Sequence, residues 1–322
     1  GWARWSGTVI GDSARTSSGV AVDGRYSFDL PNDGPALASY QTPEPAMFFP
    51  GDRIRYFIRA QDTVGQVSTL PADTTGFSAG NGYARLFTIR ALPSIVEDGQ
   101  GGFTQPEILV VNDFGHRGGE NEWLGALTSN SLVEDVDYDT YTVRGPSSLV
   151  SNGIGSAGAH GANADQLRDY NTMLYFAGNL ASGLMSDGSG TGSNDKGNDL
   201  DVLTQWHGQA DDRYAAYFGD YIATGLLESG LAGTAYMNNI LGVDYLDDSV
   251  RDEIGGQAAP IVVPVLPQFG TSYVAYGGCL GINEFDSILP LPGAVAGHAF
   301  TDPNGLTPYA SAASVLSLIH IS

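Results

Sequence analysis

The chain has 322 residues, with 36 acidic against 14 basic side chains and a formal net charge of −22. That balance argues against nucleic acid or an anionic membrane surface as partner, because phosphate recognition needs clustered Lys and Arg, and Lys196 is the single lysine. A hydrophobic content of 42% is globular rather than disordered, no apolar run approaches the ~20 residues of a membrane helix, and a lone cysteine, Cys279, excludes an internal disulfide framework.

Short strand signals separated by turns fill the first ninety residues. Residues 26–30 alternate apolar and polar before Pro31-Asn32-Asp33-Gly34 breaks them. Residues 53–60 place Ile54, Tyr56 and Ile58 on one face, with Arg53, Arg55 and Arg59 among the solvent positions, the pattern of a half-buried strand. Residues 61–65 read as a hairpin turn into 66–70, and 83–90 as a last strand. Strands at this spacing without a helical stretch predict a β-sandwich over 1–91. Pro50-Gly51-Asp52, Tyr56 to Ala60 and Asp62 to Gly65 resemble the penultimate hairpin of fibronectin type III or Ig-like modules of secreted bacterial proteins. The likeness covers residues 45–90. It implies a spacer, truncated at its N-terminus, in a protein exported to the cell surface or beyond it.

Residues 92–105, with Pro93 and then Gly99, Gly101 and Gly102 ahead of Pro106, are expected to be an interdomain linker. Strands then alternate with helices. Residues 107–113 form a continuous apolar run suited to a strand buried on both faces. Trp123, Leu124 and Leu127 share a face of a helix over 119–129, and 140–143 is a second strand. A short helix over 164–170 precedes a strand over 172–178. Asn198 caps a helix that turns Leu200, Leu203 and Trp206 inward. A strand over 214–220, helices from Tyr221 and over 232–241, and strands over 261–266 and 272–276 complete the series. This β–α–β order predicts a doubly wound, mostly parallel sheet with right-handed crossovers over 106–315.

Ligands of such sheets sit outside the carboxyl ends of the strands. Asn112, Asp113, His116 and Arg117 follow the first strand, Asn179 the third and Asp220 the fourth, making these the candidate binding residues. The competing reading is ordinary turn and cap chemistry. Gly115-His116-Arg117-Gly118-Gly119 lacks both the phosphate-loop lysine and the dinucleotide spacing.

Residues 106–310 resemble the flavodoxin-like sheets related to class I glutamine amidotransferases. More specifically, they resemble an uncharacterised α/β module that follows Ig-like domains in large secreted bacterial proteins. Residues 108–113 with 118–123, and Tyr276-Gly277-Gly278-Cys279 with Gly281-Ile282-Asn283, carry that second likeness. It implies a fold and brings no activity. Residues 316–322 resemble the translation of a library-preparation adapter and are expected to be a tail outside the fold, the domain ending, truncated, at 315.

Gly277-Gly278-Cys279-Leu280-Gly281 matches the elbow in which a strained turn exposes a nucleophile beside backbone N–H donors. Its helix half would have to lie within 282–289. A cysteine nucleophile needs a histidine, for which His298 or His116 are the candidates, with Asp302 behind His298. A caspase- or gingipain-like arrangement would instead need His160-Gly161 at a strand end. The plain reading of Cys279 is a buried small hydrophobe. Residues 187–198 partly follow calcium-loop spacing, making Asp187, Asp195, Asp199 and Asp201 candidate calcium ligands, but Asn198 replaces the bidentate Glu. The plain reading is a Gly/Ser loop leading to a helix cap. Acidity spread along the chain is a solvated surface more than a binding patch.

Three functions compete. The favoured one is a non-catalytic surface module for adhesion, carbohydrate or partner binding. The others are a cysteine hydrolase using Cys279, and a calcium-stabilised structural domain. No other cofactor is implied.

Overall fold

The computed structural model describes residues 11–15, 20–27, 50–75, 86–113, 119–143, 153–154, 162–179, 181, 183–189, 197–210, 212–250, 260–275, 285–301 and 308–317. The chain divides into two compact units. One comprises Gly1–Ser13, Tyr26–Pro106 and Val133–Asp139; the other comprises Ala14–Arg25, Glu107–Leu132 and Thr140–Ser322. Among the described residues no helix is long and apolar enough to cross a membrane.

The described part of the first unit is built from two-stranded pairings. β1 (Asp12–Arg15) and β2 (Ala21–Ser27) form a two-stranded ribbon. The run expected as one strand over 53–60 is two: β3 (Arg53–Tyr56) and β4 (Ile58–Gln61), separated by Phe57. β4 pairs with β5 (Val67–Leu70) through a tight hairpin, and β3 pairs with β6 (Phe87–Arg90). At the β4–β5 turn Asp62 Oδ1 accepts the N–H groups of Val64 (3.0 Å) and Gln66 (2.7 Å), while Gly65 takes φ +89°, a conformation that favours glycine. Changing partners at Phe57 opens the apolar face: Tyr56, Ile58 and Phe87 remain 36–38% exposed. A β-rich region is therefore established, in pairs rather than as one continuous strand set.

The stretch expected as a linker contains its own hairpin, β7 (Val96–Glu97) with β8 (Phe103–Thr104). Asp98 makes it: Oδ1 accepts N–H from Gln100 (2.8 Å) and Gly102 (2.9 Å). These bonds to the charged form hold the Asp98 carboxyl below its ordinary range.

The second unit contains a parallel four-stranded sheet. β9 (Ile108–Asn112) leads to α1 (Glu120–Ser129) and β10 (Tyr138–Thr142); β11 (Thr172–Gly178) leads to α2 (Asp199–Gly208) and β12 (Tyr214–Gly219). The order is β10-β9-β11-β12, with Thr172 of β11 opposite Ile108 and Tyr214. Leu109, Val110, Val111, Met173, Tyr175, Phe176 and Ala177 are each at most 2% exposed, as a strand pair covered on both faces requires. Asn198 caps α2 by accepting the Asp201 N–H at 2.9 Å.

Residues 164–170, expected to be helical, form successive three-residue turns, such as Leu167 N–H to Ala164 O and Tyr170 N–H to Leu167 O. The last carbonyls of this stretch, which a helix ending at 170 would leave without an intrahelical partner, are bound by later side chains. Trp206 Nε1 donates to Leu167 O (3.2 Å) and Tyr170 O (2.9 Å), and the Arg213 guanidinium donates to Tyr170 O and Arg168 O.

Beyond β12, α3 (Ile222–Glu228) and α4 (Gly230–Tyr236) run into a π-helical turn, Met237–Leu241. A Cβ on Gly233 would strike the Leu226 carbonyl, so only glycine permits this approach of α3 and α4. The later strands do not extend the parallel sheet. β13 (Val243–Asp247), β14 (Ile261–Pro264), β15 (Tyr273–Val274), β16 (Ser287–Pro290), β17 (Ala294–Thr301) and β18 (Pro308–Ser317) form a separate sheet of antiparallel pairs, in the order β13-β16-β18-β17-β14-β15. The β16–β17 connection has room for a turn only, closed by Ala294 N–H to Leu291 O at 2.9 Å, whereas a parallel return takes a dozen residues or more. Val250, Val262 and Phe300 form its buried cluster. Ser287 to Pro290 are strand, which removes the second half of the helix an elbow would need. Leu316 and Ser317, expected in a tail, continue β18 opposite Val295 and Ala294, and 318–322 lie outside the described residues.

Candidate functional site

The carboxyl ends of β9, β11 and β12 gather the chemistry. The chain changes direction between β9 and β11, which is where open parallel sheets bind ligands. Asp113 lies there, wholly buried, with its N–H on Phe176 O at 2.8 Å. The Tyr175 hydroxyl sits 2.8 Å from Asp113 Oδ2 and 3.1 Å from Leu184 O, donating to both. Leu184, Met185 and Ser186 are themselves fully buried. Asp199 Oδ2 accepts the Ser186 N–H at 2.9 Å, Ser186 O accepts the Leu200 N–H at 3.2 Å, and Ser229 Oγ donates to Met185 O. Asp113 thus anchors a segment of its own chain. Asn112 is half-buried at the end of β9, and its carbonyl accepts the Val143 N–H.

The opposite face of this sheet end is aromatic. Trp123, in the first turn of α1, stacks on Phe176 with centroids 4.1 Å apart and planes 15° from parallel. It also meets Phe218 at 4.6 Å. Phe176 and Phe218 are register partners on β11 and β12, 5.3 Å apart. Phe176 is buried, Trp123 half-buried and Phe218 36% exposed, so the cluster opens to solvent through its outer members. Asn179 is exposed at the same strand end, beyond Gly178. A Cβ on Gly219 would lie 3.0 Å from Gly178 O, so the two strand ends are close. Trp123 reads from the sequence as a helix-face residue; its partners on two strands do not.

At the end of β12 two carboxyl groups meet. Asp286 accepts N–H from Ala223 (2.6 Å) and Thr224 (3.1 Å) and the Thr224 hydroxyl (2.6 Å), and its own N–H donates to Asp220 O at 2.8 Å. Burial, followed by the charge of Asp286, raises Asp220 to about 6. Burial also raises Asp286 to about 6, against the Thr224 and Ala223 hydrogen bonds and with a further push from Asp248. Sequence reasoning reached Asp220 and missed Asp286, whose partners lie more than sixty positions upstream.

His298, a candidate base, is held within the antiparallel sheet. Its Nδ1 is 2.8 Å from Ser314 Oγ and its Nε2 3.2 Å from Phe269 O, and Phe269 and Tyr273 set their edges against it. Cys279, His116, Arg117, Asp195, Asp302 and the His160-Gly161 pair lie outside the described residues. Of the other calcium candidates, Asp187 Oδ1 accepts the Ser189 N–H, Asp199 is buried on Ser186, and Asp201 Oδ2 accepts from Gln205. Among the described residues no group of three or more His, Cys, Asp or Glu side chains is placed to hold a metal ion.

Searches of protein-family models, curated proteins and solved structures return no match to this chain.

Proposed function

We propose that this chain is a non-catalytic module of an exported surface protein, and that it binds carbohydrate at the carboxyl end of the parallel sheet. The observation that carries this reading is the Trp123–Phe176–Phe218 cluster, which has a buried base and an open outer edge. Flat aromatic faces take up the apolar side of a sugar ring, while a few polar groups fix its orientation; the exposed Asn179 is of that kind. The carboxylates at this sheet end already serve the fold: Asp113 holds Tyr175, and Asp286 caps Ala223 and Thr224. A flavodoxin-like identity for the sheet is supported by the order β10-β9-β11-β12, which is second-first-third-fourth in chain order. An Ig-like or fibronectin-like identity for the first unit is supported by the β4–β5 hairpin. Export is suggested by the dispersed acidity and single lysine, suited to saline surroundings.

The test is a glycan array probed with the full chain, followed by titration of hits against tryptophan emission. Trp123→Ala and Phe218→Ala are each expected to weaken binding by about tenfold or more. Hits that bind both variants as tightly as the parent would defeat the assignment.

A further inference from the structure

The first unit, expected to be a spacer, has a cleft of about 310 Å³ lined by Arg53, Arg90, Ser94, Ile95, Glu97 and Asp135, among others. These residues come from β3, β6, the connection from β6 to β7, β7 itself and the 133–139 segment, and all belong to this one unit. Asp135 sits between the two guanidinium groups: Arg53 Nη2 lies 3.0 Å from its Oδ2, and Arg90 Nη1 pairs with its Oδ1. Ser94 is 4% exposed, and its backbone N–H is bound to Asp139 Oδ2 at 2.9 Å, yet its hydroxyl has no partner. Arg90 Nε is likewise buried without one. Unmatched buried donors and acceptors are uncommon and call for an explanation.

Charge decides the ligand class. Two arginines are balanced by Asp135 and Glu97, so the lining is formally neutral while rich in fixed donors and acceptors. A phosphate or sulfate would face two carboxylates, and a cation two guanidinium groups. A neutral polyol gains from both kinds of lining, because each of its hydroxyls donates and accepts. The volume lies at the small end of the range of about 300–1,000 Å³ for small-molecule sites, which suits one or two sugar rings. We infer that this cleft is a binding site for a neutral sugar, with the Ser94 hydroxyl and Arg90 Nε–H as polar contacts and Asp135 and Glu97 as acceptors. It is separate from the Trp123 surface and does not depend on that assignment.

The experiment follows the arginine Nε–H resonances of the ¹⁵N-labelled full chain during titration with methyl glycosides of neutral hexoses, with inorganic phosphate in parallel. The expected result is millimolar, saturable movement of the Arg90 signal with at least one glycoside, the signal being identified by its loss in Arg90→Lys. Ser94→Ala removes a hydroxyl that no protein group uses. It should weaken that glycoside about fivefold to tenfold without lowering the unfolding midpoint, while Trp123→Ala leaves the affinity unchanged. Phosphate moving the signal where glycosides do not would replace the inference with an anion site. Silence with every probe, undiminished affinity in Ser94→Ala, or loss of binding in Trp123→Ala would overturn it.

Discussion

The parallel sheet of the second unit and the strand pairs of the first are held by different means. β9 and β11 bury apolar side chains on both faces, down to 0% exposure for Val111, Met173 and Ala177. In the described part of the first unit, Val67, Leu70, Phe87 and Ile89 are 38–59% exposed. Order there comes from polar groups fixed at particular atoms: Asp62 and Asp98 closing hairpins, Asp135 joining two arginines, and Asp139 holding Ser94. Packing tolerates little change of volume, whereas a polar framework tolerates volume change but responds to charge and salt. The first unit should therefore answer to ionic conditions, and the second to side-chain size.

The largest effect is expected from Trp206→Ala. The indole is fully buried and its N–H serves two carbonyls, so a loss of about 3–5 kcal/mol should appear in urea unfolding. A loss below about 1 kcal/mol would undo the contrast drawn between the two units. Next comes pH. Because Asp220 and Asp286 are raised to about 6, the folded chain holds their protons more tightly than the unfolded chain does. Their stabilising contribution is complete below about pH 4 and is lost as pH rises through 6. Urea midpoints should correspond to stability greater at pH 5 than at pH 7.5, by on the order of 1 kcal/mol after solvent screening of these partly exposed groups. Asp220→Asn with Asp286→Asn should flatten that slope.

Tyr175→Phe keeps the ring and removes the bonds to Asp113 and Leu184. A cost of about 1–2 kcal/mol, with faster hydrogen exchange at Leu184 to Ser186, would show that the buried segment depends on this hydroxyl. The smallest effect is expected from Asp135→Asn, which retains a residue tolerant of its φ of +75° but discharges the partner of Arg53 and Arg90. A loss of about 0.5–1 kcal/mol that shrinks in 1 M salt would bear out the electrostatic character of the first unit. Salt independence would contradict it.

What could be read in the chain beforehand follows the range of the forces involved. The runs at 108–112 and 172–178, and the Asn198 cap, are local patterns, and the structure places β9, β11 and α2 there. The expected helix at 164–170 is a run of short turns instead, and the groups that bind its last carbonyls, Trp206 and Arg213, lie about forty positions on, beyond the reach of a local pattern. The late strands look alike whether parallel or antiparallel; only the brevity of the 291–293 connection separates the cases. Asp220 could be named from its place at a strand end. Asp286 could not, since nothing around Phe285-Asp286-Ser287 refers to Ala223 or Thr224. Ser94 in the first-unit cleft carried no local signal either.

The buried segment Leu184 to Ser186 has a kinetic consequence. Its anchors, Tyr175, Asp199, Leu200 and Ser229, bond to it across up to 44 positions, and Tyr175 is itself tied to Asp113, 62 positions earlier. No short stretch can nucleate this arrangement, because the ends of several loops must close before any of these bonds forms. Folding of this unit should therefore be slower than that of a helical bundle of equal length.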